Sequence, residues 1–192
     1  MENVIGIFSA DTHLSQNTWT SRSQIVGDAL FGFRQLCDLA ILHRCPLVIA
    51  GDCWELARQP RPDAETVRFV RDCMDDLERA GSEFYFINGQ HDNQTRPYWF
   101  NAIHGWPQHF GGRTIQIGKF AFHGVDYFEH QVIDQVVSGL PPDLSGLVVH
   151  QSWQEFTGAR LFSPLSLDSL PASIPIVISG DTHLCVTDMR AG

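Results

Sequence analysis

Short apolar runs rich in β-branched and aromatic residues recur along this chain, and five of them stop at residues able to bind a metal. Val4–Ala10 runs into Asp11-Thr12-His13, and Leu47–Ala50 into Gly51-Asp52. Phe84–Ile87 is followed by Gly89-Gln90-His91-Asp92, Leu147–Val149 by His150, and Ile176–Ser179 by Gly180-Asp181-Thr182-His183. Apolar runs of this length bounded by turn residues predict buried strands. In open α/β sheets, the loops at the carboxyl ends of strands build the binding site. Polar loops at successive strand ends therefore predict one composite site.

The segments between the runs set the fold class. Ile25, Val26, Ala29, Leu30, Phe33, Leu36, Cys37, Ala40 and Ile41 recur with a helical period, predicting a helix over Gln24–His43 that Ser21 or Ser23 would cap. Asp63 is placed to cap a second helix with Val67, Val70, Met74 and Leu77 on one face. Strand–helix–strand–helix–strand is the pattern of a parallel sheet. Thr114–Ile117 and Phe120–His123, around Gly118-Lys119, read as a hairpin. Phe128–Val137 is expected to be helical and Leu184–Asp188 to form a further strand. The expectation is an α/β fold, with two sheets packed as a sandwich and flanked by helices, in one domain over residues 1–192.

Composition narrows the function classes. The chain carries 18% charged and 43% hydrophobic residues, as ordinary globular proteins do. No stretch approaches the roughly 20 apolar residues of a membrane helix, and the N-terminus lacks a basic leader, so a cytoplasmic location is expected. The cysteines, Cys37, Cys45, Cys53, Cys73 and Cys185, show no CxxC spacing, which argues against a structural zinc site or a disulfide framework. Cys53 reads as a small packing residue. A net charge of −9 argues against a broad basic surface for nucleic acid, although bound cations would neutralise a carboxylate cluster locally.

The residue types at the strand ends suit hard divalent cations. Carboxylates, imidazoles and a side-chain amide offer oxygen and nitrogen ligands. Asp52, after a glycine, is able to use both oxygens and bridge two ions. Singly, each motif is a common turn or cap; in order, at successive strand ends, they are not.

The order DTH, GD, GQHD, H, GDTH resembles the calcineurin-like metallophosphoesterases, whose pattern is D-x-H, G-D, G-N-H-D, H, G-H-x-H. The resemblance runs from Ile5 to His183. The stretches GDCWELARQP, INGQHD and VVHQSW look most like the nuclease branch of SbcD-type and phage repair exonucleases. The resemblance implies a four-layer αββα fold, hydrolysis of a phosphate ester and two divalent cations, manganese first, with magnesium, iron or zinc as alternatives. One cation would take Asp11, His13, Asp52 and His183, and the other Asp52, Gln90, His150 and Asp181. His91 would contact the phosphate and protonate the leaving oxygen, with Asp92 orienting it. The nuclease branch further implies a DNA substrate, a homodimer through helix 24–43 and an SbcC-like ATPase partner.

Two positions depart from that pattern on the same cation: Gln90 stands for Asn, and Asp181 for His. An added anion there favours manganese or magnesium over zinc, and an alkaline optimum. The sequence also ends at Gly192, where relatives continue with more strands, so a natural minimal form or a fragment is expected, with the second sheet incompletely closed. Other side chains keep two readings. Arg58 and Arg61 would clamp a phosphate or form a solvated loop. Tyr98, Trp99 and Phe100 would stack on bases or pack as core, and Trp54 and Trp153 would wall the pocket. Two other functions stay open: a small-substrate phosphatase or phosphodiesterase, which the acidic charge favours, and a non-catalytic scaffold with a degenerate metal site, which Gln90 and Asp181 motivate.

Overall fold

A computed structural model describes residues 4–16, 27–56, 61–92, 98–157 and 165–182. Two four-stranded sheets form the centre. The first contains β1 (Ile7–Ser9), β2 (Leu47–Ala50), β3 (Phe84–Ile87) and β4 (Gln108–His109), in that order. All of its pairings are parallel. The second contains β5 (Thr114–Ile117), β6 (Phe120–Val125), β7 (Gly146–His150) and β8 (Val177–Gly180). Here β5 and β6 form the expected antiparallel hairpin, and β6, β7 and β8 pair in parallel.

Alternation along the central strands explains the layers. Leu47 and Ile49 of β2, with Phe84 and Phe86 of β3, face the helices α1 (Asp28–His43), α2 (Ala64–Ala80) and α3 (Trp99–Ile103). The intervening Val48, Ala50, Tyr85 and Ile87 pack against Ile117, Phe122 and Val148 of the other sheet. On the far side, Leu147 and Val149 meet Trp153, Leu165, Leu167, Leu170 and Ile174, with Ile133 and Val137 of α4 (Ile133–Ser138) against them. Strands buried on both faces read as continuous apolar runs, as β2 and β3 do. The expected α/β sandwich with flanking helices is therefore the observed architecture.

The expected helix caps hold in one case and not in the other. Asp63 accepts the N–H groups of Glu65 and Thr66 at the head of α2, and Gly81, at φ 71°, closes its other end. Helix α1 begins at Asp28 with Gly27 as its N-cap, not Ser21 or Ser23, which lie outside the described residues with Gln24–Val26. It buries Phe33, Cys37 and Ala40 and leaves Phe31, Leu39 and Leu42 exposed. Arg34 ties α1 to α2 through Asp76, 2.5 Å away. The first strand is shorter than expected, because Val4 and Ile5 lie exposed beyond the β1–β2 register. Four elements escaped the sequence reading: α3, β4, too short and polar to show an apolar run, α5 (Gln154–Thr157) and the short 3-10 turn Leu167–Ser169. Leu184–Asp188 lies outside the described residues. Among the described residues, no helix is long and apolar enough to cross a membrane.

Candidate metal centre

The loops after β1, β2, β3, β7 and β8 meet at one rim and are laced together by hydrogen bonds. The first two run side by side: Asp11, His13 and Leu14 donate their N–H groups to the carbonyls of Gly51, Asp52 and Cys53 at 2.9–3.0 Å. The second and third are held by Asp92. Its carboxylate accepts the N–H groups of Trp54 (2.8 Å), Cys53 (3.1 Å) and Gly89 (2.8 Å). The β8 loop joins the β1 loop through the N–H of Asp181, which donates to the Asp11 carboxylate at 3.0 and 3.1 Å. His150 links the two sheets, its Nδ1–H donating to the Ala50 carbonyl at 2.7 Å.

Backbone strain concentrates at the same rim. Asp11, His13, Asp52 and Asp181 all adopt positive φ (55°, 42°, 46° and 88°). Non-glycine residues rarely do so, and such outliers persist where surrounding structure over-determines them, often at functional sites. Glycines supply the room. A methyl group on Gly51 would overlap the His150 ring, and one on Gly180 would sit 2.6 Å from His150 Nδ1. The imidazole therefore slots between two backbones that only glycine lets approach so closely.

Asp52 is the hub. It is 1% exposed. Its Oδ1 accepts the N–H of His91 at 2.9 Å. Its Oδ2 faces Nε2 of three imidazoles: His150 at 3.3 Å, His13 at 3.8 Å and His91 at 3.9 Å. Two of the rings are fixed by hydrogen bonds through Nδ1, His91 donating to Glu55 Oε1 at 3.0 Å and His150 to the Ala50 carbonyl, while His13 Nδ1 lies at ion-pair distance, 3.1 Å, from Glu55 Oε2. An Nδ1–H fixed by an acceptor leaves Nε2 as the free lone pair, the arrangement of metal-ligating histidines.

The donor set fits a divalent cation. The oxygen and nitrogen atoms of Asp11, Asp52 and His150 lie within 4.8 Å of one another, as do those of His13, Asp52 and His91, so Asp52 is common to both groups. His150 Nε2 is fully buried and forms no hydrogen bond, although two carboxylates face it. Burial alone would lower the pKa of His150, yet Asp52, the Ala50 carbonyl and Asp11 push it up to about 9. Burial would raise that of Asp52, but His150 and the His91 N–H hold it below the ordinary carboxylate range. The pocket thus demands positive charge between these groups, which a proton or a metal ion supplies.

Several expected roles change. Asp92 does not orient His91; both its oxygens are taken by backbone N–H groups, and Glu55 is the carboxylate on His91. Burial pushes the Asp92 pKa up to about 7, against the pull of those three donors. Glu55 escaped the sequence reading, although a carboxylate three residues beyond Asp52 was the available signal. Asp181 belongs to neither of the two carboxylate–imidazole groups; Gln90 Nε2 donates to Asp181 Oδ1 and Ser152 Oγ donates to Asp181 Oδ2. Ser152 was also missed, since a lone serine beyond His150 carries no pattern.

The aromatic and basic residues are less engaged. Phe100 is core, and Trp99 packs half-buried on the helix-facing cluster with its Nε1 buried, so the triplet packs rather than offering stacked faces. Tyr98 lies 4.3 Å from the His109 ring. Trp54 and Trp153 are core residues beneath the loops, not pocket walls. Arg61 is exposed, and Arg58 and His183 lie outside the described residues. Cys53 is buried, and burial with neighbouring carboxylates raises its thiol pKa well above normal, which fits packing and not nucleophilic chemistry.

The Asp92 clamp gives a stability prediction. In Asp92→Asn, an amide NH2 must face at least one of three backbone N–H donors. An unsatisfied buried donor costs about 1–3 kcal/mol, so chemical denaturation should show a loss of that size. An unchanged midpoint would mean the clamp carries no weight.

No protein-family model matches the chain, and no curated protein sequence matches it. Among solved structures, a protein described as a novel archaeal phosphodiesterase is similar, at 10% sequence identity with a TM-score of 0.45. The match covers 92% of this chain and 83% of that one.

Proposed function

We propose that this chain is a divalent-metal-dependent phosphoester hydrolase of the calcineurin-like metallophosphoesterase type. The observation that supports it most is the convergence of three imidazoles on the Asp52 carboxylate. Asp11, Asp52 and His150 would hold a cation, and the sequence resemblance adds His13 and His183 beside Asp11 and Asp52. A bound cation supplies Lewis-acid stabilisation of phosphate charge and lowers the pKa of water. The protein's own contribution is orientation. Glu55 aims His91 Nε2 towards the cation side, where a proton on that atom is within reach of a leaving oxygen. Asp92 keeps the two loops bearing Asp52 and His91 in register.

The substrate we favour is DNA, in keeping with the likeness of GDCWELARQP and INGQHD to the nuclease branch. The test is hydrolysis of linear DNA and of bis(p-nitrophenyl) phosphate by the full chain, with and without Mn2+. Cleavage of both, abolished by chelation, supports the proposal. Turnover of the small diester alone favours a small-substrate phosphodiesterase, and no turnover with metal bound favours a scaffold.

A further inference from the structure

The structure brings a sixth strand-end loop to the rim, one that carries no metal-ligand motif. Strand β6 runs parallel to β7 and β8, so the loop after it, residues 126–129, emerges at the same edge as His150 and Asp181. That loop is pinned between the loops of β3 and β7. The Asp126 carboxylate accepts the N–H of Asn88 at 2.7 Å and faces His109 Nε2 at 2.8 and 2.9 Å. The Tyr127 N–H donates to the Asn88 carbonyl at 2.8 Å. Gln151 Nε2 donates to the Phe128 carbonyl at 2.7 Å. Asn88 immediately precedes Gly89-Gln90-His91-Asp92, and Gln151 immediately follows His150. Asp126 is thus spent on anchoring, and Phe128 packs on the cluster around Trp153. Tyr127 is half-buried and belongs to none of the three apolar clusters. Burial, and then the charges of Glu129, Asp181 and Asp52, raise the pKa of its phenol, which agrees with a side chain on the metal-centre side of the loop.

We infer that Tyr127 is a specificity-determining residue whose ring packs against an aromatic group esterified to the phosphate, so that the substrate is a phosphoester carrying a flat ring such as a nucleobase. The inference rests on the metal-dependent reading above and names the substrate class for that same site. A cation at Asp52 takes the phosphate, and the organic group must then lie along the rim. Among the described residues, the one lysine or arginine in the six loops is Arg61, which is exposed, so charge does little to select the rest of the substrate. An aromatic face does this without charge, because every nucleobase offers a π-face to stack on. A ring on a loop already tied to both neighbours loses little freedom on binding. Trp99, packed on the core, leaves that role to Tyr127.

Titration calorimetry of the full chain in excess Mn2+, with phenylphosphonate and with methylphosphonate, tests this. The two probes share the phosphonate and differ in the ring. Wild type should bind phenylphosphonate more tightly by roughly 5–150-fold, the range that stacking of one base supplies. Tyr127→Ala should bring the two affinities together, and Tyr127→Phe, which keeps the ring, should retain the gap. A melting temperature raised by Mn2+ as in wild type shows that each variant folds and keeps its cation, and the wild-type comparison needs no variant. Equal affinity for the two probes in wild type overturns the inference while leaving metal dependence intact. So does a gap that survives in Tyr127→Ala or vanishes in Tyr127→Phe, or an Mn2+-loaded chain that binds neither probe. A wild-type chain that takes up no Mn2+ overturns the metal-dependent reading itself, and the inference with it.

Discussion

Asp52→Asn is expected to abolish tight binding of divalent cations and, with it, activity. Among the described residues, each imidazole at the rim points Nε2 at this one carboxylate oxygen, and both groups able to hold a cation include it. Replacing the carboxylate by an amide removes the charge shared by those groups and presents either a weak carbonyl ligand or an NH2 donor to the cation. Loss of an outer-sphere partner alone costs roughly 10–100-fold in metal affinity, so loss of this central ligand should exceed that. Melting temperature is the simplest readout. A cation that binds only the folded state raises stability by mass action, by about 2.7 kcal/mol at a hundredfold excess over its Kd. Wild type should gain thermal stability from added Mn2+, and Asp52→Asn should not. A variant stabilised by Mn2+ as strongly as wild type would remove Asp52 from the hub.

His91→Ala should lower turnover by roughly 10²–10⁴-fold, the usual contribution of a general acid, while metal content holds. The geometry sets up a direct contest between two roles. His91 Nε2 is 3.9 Å from Asp52 Oδ2, near enough to count among the ligand atoms beside His13. His91 is also more exposed than the other two imidazoles, with 31% of its side chain open to solvent against 7% for His13 and none for His150. Exposure suits a group that meets substrate. Glu55→Gln should have an intermediate effect, because one amide cannot accept from both His13 and His91. If His91→Ala loses its metal together with its activity, His91 is a ligand and the acid must be sought elsewhere.

The central strands and the hub were legible because both leave local patterns. Leu47–Ala50 and Phe84–Ile87 are continuous apolar runs, and they form strands with those boundaries. Asp11, His13, Asp52, His91 and His150 each follow such a run, and the parallel topology alone brings them to one rim. What the sequence hid depends on tertiary pairing. Asp92 and Glu55 are both carboxylates close to motif residues, and only the folded loops show that Asp92 faces three backbone N–H groups while Glu55 faces two imidazoles. The pairing of Gln90 with Asp181 spans 91 residues and carries no local signature. Trp99 offered a stacking reading because it lies in an aromatic run soon after the third motif, but helix α3 packs it half-buried against the core.

Crystals grown with Mn2+ and measured at the manganese absorption edge test the metal centre most directly. The account predicts a strong anomalous peak in coordination contact with Asp52 Oδ2 and His150 Nε2, and at most a weaker one beside Gln90 and Asp181. A map with no peak at Asp52, or with Mn2+ bound only away from the three imidazoles, would contradict it.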